Sequence, residues 1–267
     1  MATKELKQFI VDNDIVNMTY KKAKKKGFLE CSEICTAYGD FKFYYANEMD
    51  FESVTGNMTK RDVFAGEYFN KIPVELREKR IMGLRWADLG ANHGWFTVKA
   101  AKVLNPEFIV ALEPLKSTFT FLKKNCEVNC DMNKVKPLHA AVVKDDVTEV
   151  EFSVGSKSGS LNSILDVRGR PKQVLPAVNV NDLFNKYKVN AVKMDIEGYE
   201  YQLIGKTDWS KIKILILEYH YRYLDNANRG PKFDKTIKRL KKNFDHVIYD
   251  PSMKQRFGTH IVAWKGL

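Results

Sequence analysis

Long apolar runs are missing from this 267-residue chain. Nothing approaches the roughly 18 consecutive apolar residues of a membrane-spanning helix, so no membrane span is expected. The opening stretch MATKELKQFIVDNDIV carries acids inside its short apolar segment and lacks a small-residue cleavage site. A secretory signal peptide is therefore not expected either. Cysteine is scarce, with four residues in two pairs, Cys31/Cys35 and Cys126/Cys130. A four-thiolate zinc site would use that i, i+4 spacing twice, which is unusual, and no histidine completes a familiar pattern. Free thiols in a reducing cytoplasm are the simpler reading, and no metal site is expected. Also absent are an internal repeat, a low-complexity tract beyond short lysine runs, and a linker rich in Gly, Pro or Ser between the first 80 residues and the rest.

Charge is present in excess of one sign. Lys and Arg number 44 against 33 acids, a formal net charge of +11. An anionic partner such as RNA would suit that balance. The lysines are spread along the chain, however, with clusters only at Lys21–Lys26 and Lys235–Lys242. Solvated helix faces explain them equally well, so nucleic-acid binding is possible but not the first reading. Hydrophobic residues at 44% and aromatics at 12% supply ample material for a core. The length fits one large domain with an N-terminal extension, placed here at residues 1–80 as a cap and 81–267 as the main domain.

From Leu84 onward the pattern alternates between strand and helix, as in a mostly parallel sheet covered by helices on both faces. Strands are expected at 84–89, 108–113, 135–141, 190–195 and 213–219, with closing strands at His246–Tyr249 and His260–Trp264. Helices are expected near 94–104, 115–129, 181–187, 198–206 and 231–243. Upstream, Asp40–Ala46 alternates as a strand. A β-like segment, Thr148–Val154, and the loop Gly155-Ser-Lys-Ser-Gly-Ser160 interrupt the main pattern.

The chain is organised around Trp86-Ala-Asp88-Leu-Gly90-Ala-Asn92-His93-Gly94-Trp-Phe-Thr97. It reads as a short strand breaking into a glycine-bearing turn and then a helix. Glycine admits positive φ and lets backbone approach a ligand, and a helix start offers unpaired N–H groups. Asp88 sits at the strand end, where ligands bind in open α/β sheets. The dinucleotide fingerprint G-x-G-x-x-G is not met, because Asn92 stands where the middle glycine belongs. A carboxylate beside the turn also suits a cationic ligand end better than a pyrophosphate. S-adenosyl-L-methionine, whose ammonium group an aspartate can hold, is the expected ligand.

Three further positions carry candidate chemistry. Glu113 ends the next strand before Pro114, where an acid can accept hydrogen bonds from a ribose diol. The alternative is an exposed acid before a helix-starting proline. Asn190-Ala-Val-Lys-Met-Asp195-Ile-Glu197-Gly198 runs an apolar strand into two acids, which could orient a hydroxyl, take its proton, bind a divalent ion, or simply cap the next helix. In Ile214-Leu-Ile-Leu-Glu218-Tyr-His220-Tyr-Arg222, continued strand geometry puts Glu218, His220 and Arg222 on one face. His220 is the candidate base, because a neutral imidazole is matched to neutral pH. His93 lies in the first loop, where its backbone matters more than its ring, and His139 could line an adenine pocket or pack.

Taken together, Asp88-Leu-Gly-Ala-Asn92-His-Gly94-x-x-Thr97, Glu113-Pro114, Val192-Lys-Met-Asp195-Ile-Glu-Gly198-Tyr-Glu200 and Leu217-Glu-Tyr-His220 resemble the FkbM-type S-adenosylmethionine-dependent methyltransferases. The resemblance covers roughly residues 62–224 and includes Val63-Phe-Ala-Gly66-Glu67-Tyr68. It implies a Rossmann-like class I methyltransferase fold with a seven-stranded sheet, and O-methylation of a sugar or another small-molecule or glycan hydroxyl. It implies cofactor contacts from Asp88, Gly90, Asn92, Gly94 and Glu113, a set expected to extend to Ala91, Phe96 and Ala140. It implies that Asp195, Glu197 and His220 face the acceptor, with Glu218, Tyr199 and Arg222 expected as substrate-binding neighbours. The rivals are an RNA cap or ribose 2′-O-methyltransferase and a non-catalytic module that keeps the cofactor fold. Oligomeric state is not legible.

Overall fold

The computed structural model describes residues 34–38, 41–45, 72–74, 76, 80–154, 164, 169, 171–220, 226–249 and 258–267. Seven strands form the main sheet: β3 (Arg85–Leu89), β4 (Phe108–Leu112), β5 (Val135–Leu138), β9 (Ala191–Met194), β10 (Ile214–His220), β11 (His246–Tyr249) and β12 (Gly258–Trp264). Their order is β11-β12-β10-β9-β3-β4-β5, and β12 runs antiparallel to both neighbours. The chain starts the sheet in its middle, builds outward through β4 and β5, then returns to lay β9 against the other side of β3. The carboxyl ends of β3 and β9 therefore flank the reversal point, where open α/β sheets bind ligands.

Side-chain alternation sends each central strand into two cores, because successive residues face opposite sides. Trp86, Ile109, Ala111, Ile214 and Ile216 meet α1 (Trp95–Val103) and α2 (Lys116–Asn129) through Phe96, Ala100, Leu104 and Leu122. Ala87, Leu89, Val110, Leu112, Leu215 and Leu217 meet α3 (Val180–Tyr187), α4 (Glu200–Ile204) and α5 (Asn226–Asn243) through Leu183, Leu203, Phe233 and Leu240. The architecture is mixed α/β, with helices on both faces of a mostly parallel seven-stranded sheet. A hairpin, β1 (Ile34–Tyr38) with β2 (Phe41–Tyr45), lies against α2.

The structure departs from the sequence pattern in four places. The strand expected over 135–141 ends at Leu138, where the Ala140 N–H bonds back to the Leu138 carbonyl and turns the chain. Ala141–Val143 (β6) then joins a separate small sheet with β7 (Glu149–Ser153) and β8 (Lys172–Asn179), in the order β6-β8-β7. The periodicity did not reveal β8, because only Leu175 along it is buried and Pro176 interrupts it. Helix α4 is shorter than expected, since Glu197 and Gly198 both hold positive φ, 55° and 108°, and delay its start. Helix α5 starts five residues before the expected 231, carrying Pro231 inside it. The calls on Lys21–Lys26, Val63–Tyr68, Gly155–Ser160 and Arg222 lie outside the described residues.

Phe233 is fully buried, at 0% exposure, between α5 and the sheet. Phe233→Ala is expected to cost about 3–5 kcal/mol of unfolding free energy, measured by urea denaturation. Val174→Ala, at a side chain 63% exposed on the small sheet, is expected to be nearly neutral.

Candidate active site

The turn after β3 and the turn after β9 are in van der Waals contact. Gly90 has φ +76°, and a Cβ there would lie 1.8 Å from the Asp195 carbonyl oxygen. No side chain fits, so Gly90 is dictated by the approach of the second loop. Beneath that contact lies Lys193, which is buried. Its Nζ donates to the Gly90 carbonyl at 2.9 Å and pairs with Asp88 Oδ1 at 3.2 Å and Asp195 Oδ2 at 3.8 Å. Burial alone would lower the Lys193 pKa. Asp88, Asp195 and Glu218 outweigh it and raise the pKa above the usual lysine value. The other Asp88 oxygen accepts from the Thr97 hydroxyl of α1 at 2.6 Å.

Glu113, at the end of β4, is also buried. Its carboxylate accepts from the Asn92 N–H at 3.1 Å and the Leu115 N–H at 3.0 Å. Burial dominates those two bonds and pushes its pKa up to about 7. Glu113 stands at the edge of a cleft at the carboxyl ends of the strands. One wall is polar, with Gly90, Asn92, Glu113, Asp195 and Glu197. The other is apolar, with Leu112, Val142, Phe152 and Ile164.

At the outer end of the cleft the β9 and β10 ends bring four acids around one histidine. His220 is 5% exposed. Its Nδ1 lies 3.0 Å from Glu200 Oε1, which also accepts the Gly198 N–H. Its Nε2 lies 3.4 Å from Glu197, 3.6 Å from Glu218 and 3.8 Å from Asp195. Burial lowers the His220 pKa, but Glu200, Asp195 and Glu218 more than offset it and carry it to about 10. The neutral imidazole expected from the sequence is thus corrected: ringed by carboxylates, His220 is an imidazolium at neutral pH.

Of the residues singled out in the sequence, Gly90, Asn92, Glu113, Ala140, Asp195 and Glu197 line the cleft. Asp88 lies beneath the turn, held by Lys193 and Thr97. Ala91 is buried in the turn, and Gly94 opens α1 in the left-handed region, φ 91°, against Leu122. Phe96 packs on Trp86 in the α1–α2 core. Tyr199 is buried in the opposite core at the start of α4. Glu218 and His220 belong to the acid cluster, and Arg222 lies outside the described residues. Neither Asp195 nor Glu197 caps α4, which has no side-chain cap. His93 meets its expectation, since its carbonyl accepts from Asn125 and its ring is buried and neutral, with a pKa lowered to about 4. His139 stacks on Phe119. The apolar wall was not foreseen: Phe152 and Ile164 arrive from the small sheet and its connection, and no local spacing ties them to the Asp88 turn.

The donor set fits S-adenosylmethionine. An apolar slot suits adenine, a carboxylate at the end of β4 suits the ribose diol, and Asp195 and Glu197 offer negative charge to a sulfonium and an ammonium. A pyrophosphate would face those acids unfavourably. Asp88 is buried beneath the turn, paired with Lys193 and accepting from the Thr97 hydroxyl.

Removing Lys193 would strand the Asp88 carboxylate in the core. Lys193→Ala is expected to lower stability by about 3–5 kcal/mol, the scale for breaking a buried pair from one side. Urea denaturation read by circular dichroism checks it.

No curated protein matches the chain by sequence. Among solved structures, M. jannaschii TYW2 in complex with AdoMet is 15% identical, with a TM-score of 0.44 over 88% of this chain and 85% of that one. M. capricolum TrmK with S-adenosyl-homocysteine is 13% identical, with a TM-score of 0.40 over 73% and 69%. Likeness at this level identifies neither substrate nor reaction. The model of the methyltransferase FkbM domain matches residues 88–248, more than half of the chain and every element that builds the cleft. The chain belongs to the methyltransferase FkbM domain family.

Proposed function

We propose that this protein transfers the methyl group of S-adenosylmethionine to a hydroxyl group, on a sugar or glycan. The observation that carries the reading is the cluster of acids that joins a cleft suited to the cofactor at Asp195 and Glu197. A sugar presents several hydroxyl donors on one face, and carboxylates are acceptors only, so Asp195, Glu197 and Glu218 match it. Bound S-adenosylmethionine supplies an electrophilic methyl on a cationic sulfur. The chain's task is then to align one acceptor hydroxyl with that methyl and to receive the hydroxyl proton. Asp195 and Glu197 line the cleft and are within reach of both tasks. During transfer the hydroxyl proton would pass to one of these carboxylates. His220, an imidazolium tied to Glu200, holds the acids in register.

The RNA reading needs cations beside the acids, directed at phosphate. Among the described residues Lys193 pairs with Asp195, but it is buried and held by Asp88 and the Gly90 carbonyl. The sugar reading is therefore preferred.

Two measurements test the reading. Glu113 accepts best from a ribose diol when ionised, and its pKa is raised to about 7 by burial, against the opposing pull of Lys193 and with some help from Asp88. Affinity for S-adenosylmethionine is therefore expected to fall by up to about tenfold for each pH unit below 7. In Glu113→Gln the affinity should be weaker and nearly flat over that range; calorimetry at pH 5.5 to 8 decides. Separately, a screen of free sugars, glycans and capped RNA with methyl-labelled cofactor should label a carbohydrate hydroxyl. Asp195→Asn should cut that rate by about 10²-fold. Label confined to RNA would replace the sugar reading.

A further inference from the structure

The acid cluster has the geometry of a ligand shell. One donor atom each from Asp195, Glu218 and His220 lies within 4.8 Å of the others. The separations from His220 Nε2 to Asp195, Glu218 and Glu197 are 3.8, 3.6 and 3.4 Å. These are long for hydrogen bonds. They are close to the spacing of adjacent ligands on one ion, about 3.0–3.5 Å for metal–oxygen bonds of roughly 2.1–2.5 Å.

The histidine is an observation separate from the acids. Its side chain is 95% buried, and Nε2 is aimed into the space between the three carboxylates. Its other nitrogen is engaged by Glu200, itself buried and braced by the Gly198 N–H. A metal-binding imidazole typically has this arrangement, with one nitrogen oriented by a carboxylate and the other facing the ion. Asp195, Glu197 and Glu218 retain partial exposure, 24%, 17% and 26% of their side chains, and the first two line the cleft.

We infer that Asp195, Glu218 and His220 Nε2 form a binding site for a divalent cation of the Mn²⁺ or Mg²⁺ type, with Glu197 at its rim and Glu200 orienting the imidazole. Carboxylate oxygens with one imidazole suit such ions, and the ion would take the place of the Nε2 proton, which is released to solvent on binding. Open positions on the ion would face the cleft, where neighbouring hydroxyls of the acceptor can coordinate. This role deepens the methyl-transfer reading and rests on it; the binding site itself does not. The sequence offers no ligand-spacing motif, since the three residues come from two strand ends.

The test uses the full chain after treatment with a chelator, titrated with Mn²⁺ and followed by loss of the free-ion electron paramagnetic resonance signal. One Mn²⁺ should bind per chain, with nitrogen hyperfine coupling from the imidazole. That coupling should vanish in His220→Ala, and Asp195→Asn should weaken binding at least tenfold. Glu200→Gln should weaken it about 10- to 100-fold by releasing the imidazole. Glu218→Gln, at a partly exposed position, provides a variant that keeps its fold if His220→Ala does not. Exposed Glu149→Gln should change nothing. No saturable binding at millimolar Mn²⁺, or binding without nitrogen coupling, overturns the inference. Calorimetry with S-adenosylmethionine alone separates the two ideas: cofactor binding without Mn²⁺ binding sinks the cation site only, and Mn²⁺ binding without cofactor binding sinks the methyl-transfer reading only.

Discussion

The buried ammonium of Lys193 is the constraint on which the site depends. It reaches up from β9 to the carbonyl of the first glycine in the neighbouring turn, between carboxylates from two strand ends. Two loops far apart in sequence are thereby held close enough that residue 90 can carry no side chain. Burying such a charge is costly unless it is fully paired. Here one cation is shared among two acids and a carbonyl, so the geometry of each loop depends on the other. Asp88 serves as the counter-charge beneath the cleft, leaving Asp195 and Glu197 to face it.

The second organising force is the contrast between a basic chain and an acidic site. The sequence carries a net charge of +11, yet Glu113, Asp195, Glu197, Glu200 and Glu218 all gather along one sheet edge. Clustering at that edge suits a cationic cofactor and a hydroxyl-bearing acceptor. The same crowding makes His220 an imidazolium and groups its Nε2 with three carboxylates.

Much of the fold was legible because parallel strands and amphipathic helices write their periods locally. All seven strands of the main sheet and its five helices stand near their expected positions, since apolar runs bounded by turn residues mark them. The small sheet was legible only in part. Its third strand buries one residue and contains a proline, so pattern alone could not place it. Of the site, the turn, Glu113 and the acids at Asp195 and Glu197 were legible, because an acid or glycine ending a buried strand has few structural reasons to be there. The apolar wall from Phe152 and Ile164 was not legible. Hydrophobic residues look alike until the chain folds them over a cleft.

By itself, the sequence determined the alternation of strand and helix, the glycine turn, and the order in which acids end successive strands. Each of these is a local property of composition and spacing. Only the tertiary structure decided which acids line the cleft and which are paired inside. Asp88 and Asp195 look equivalent along the chain, but a buried lysine claims the first and the second lines the cleft. Likewise, of the four carboxylates around His220 only Glu218 is near it in sequence. Its protonation state comes from charges brought together across strand ends, and a pKa reports the assembled environment rather than the neighbouring letters.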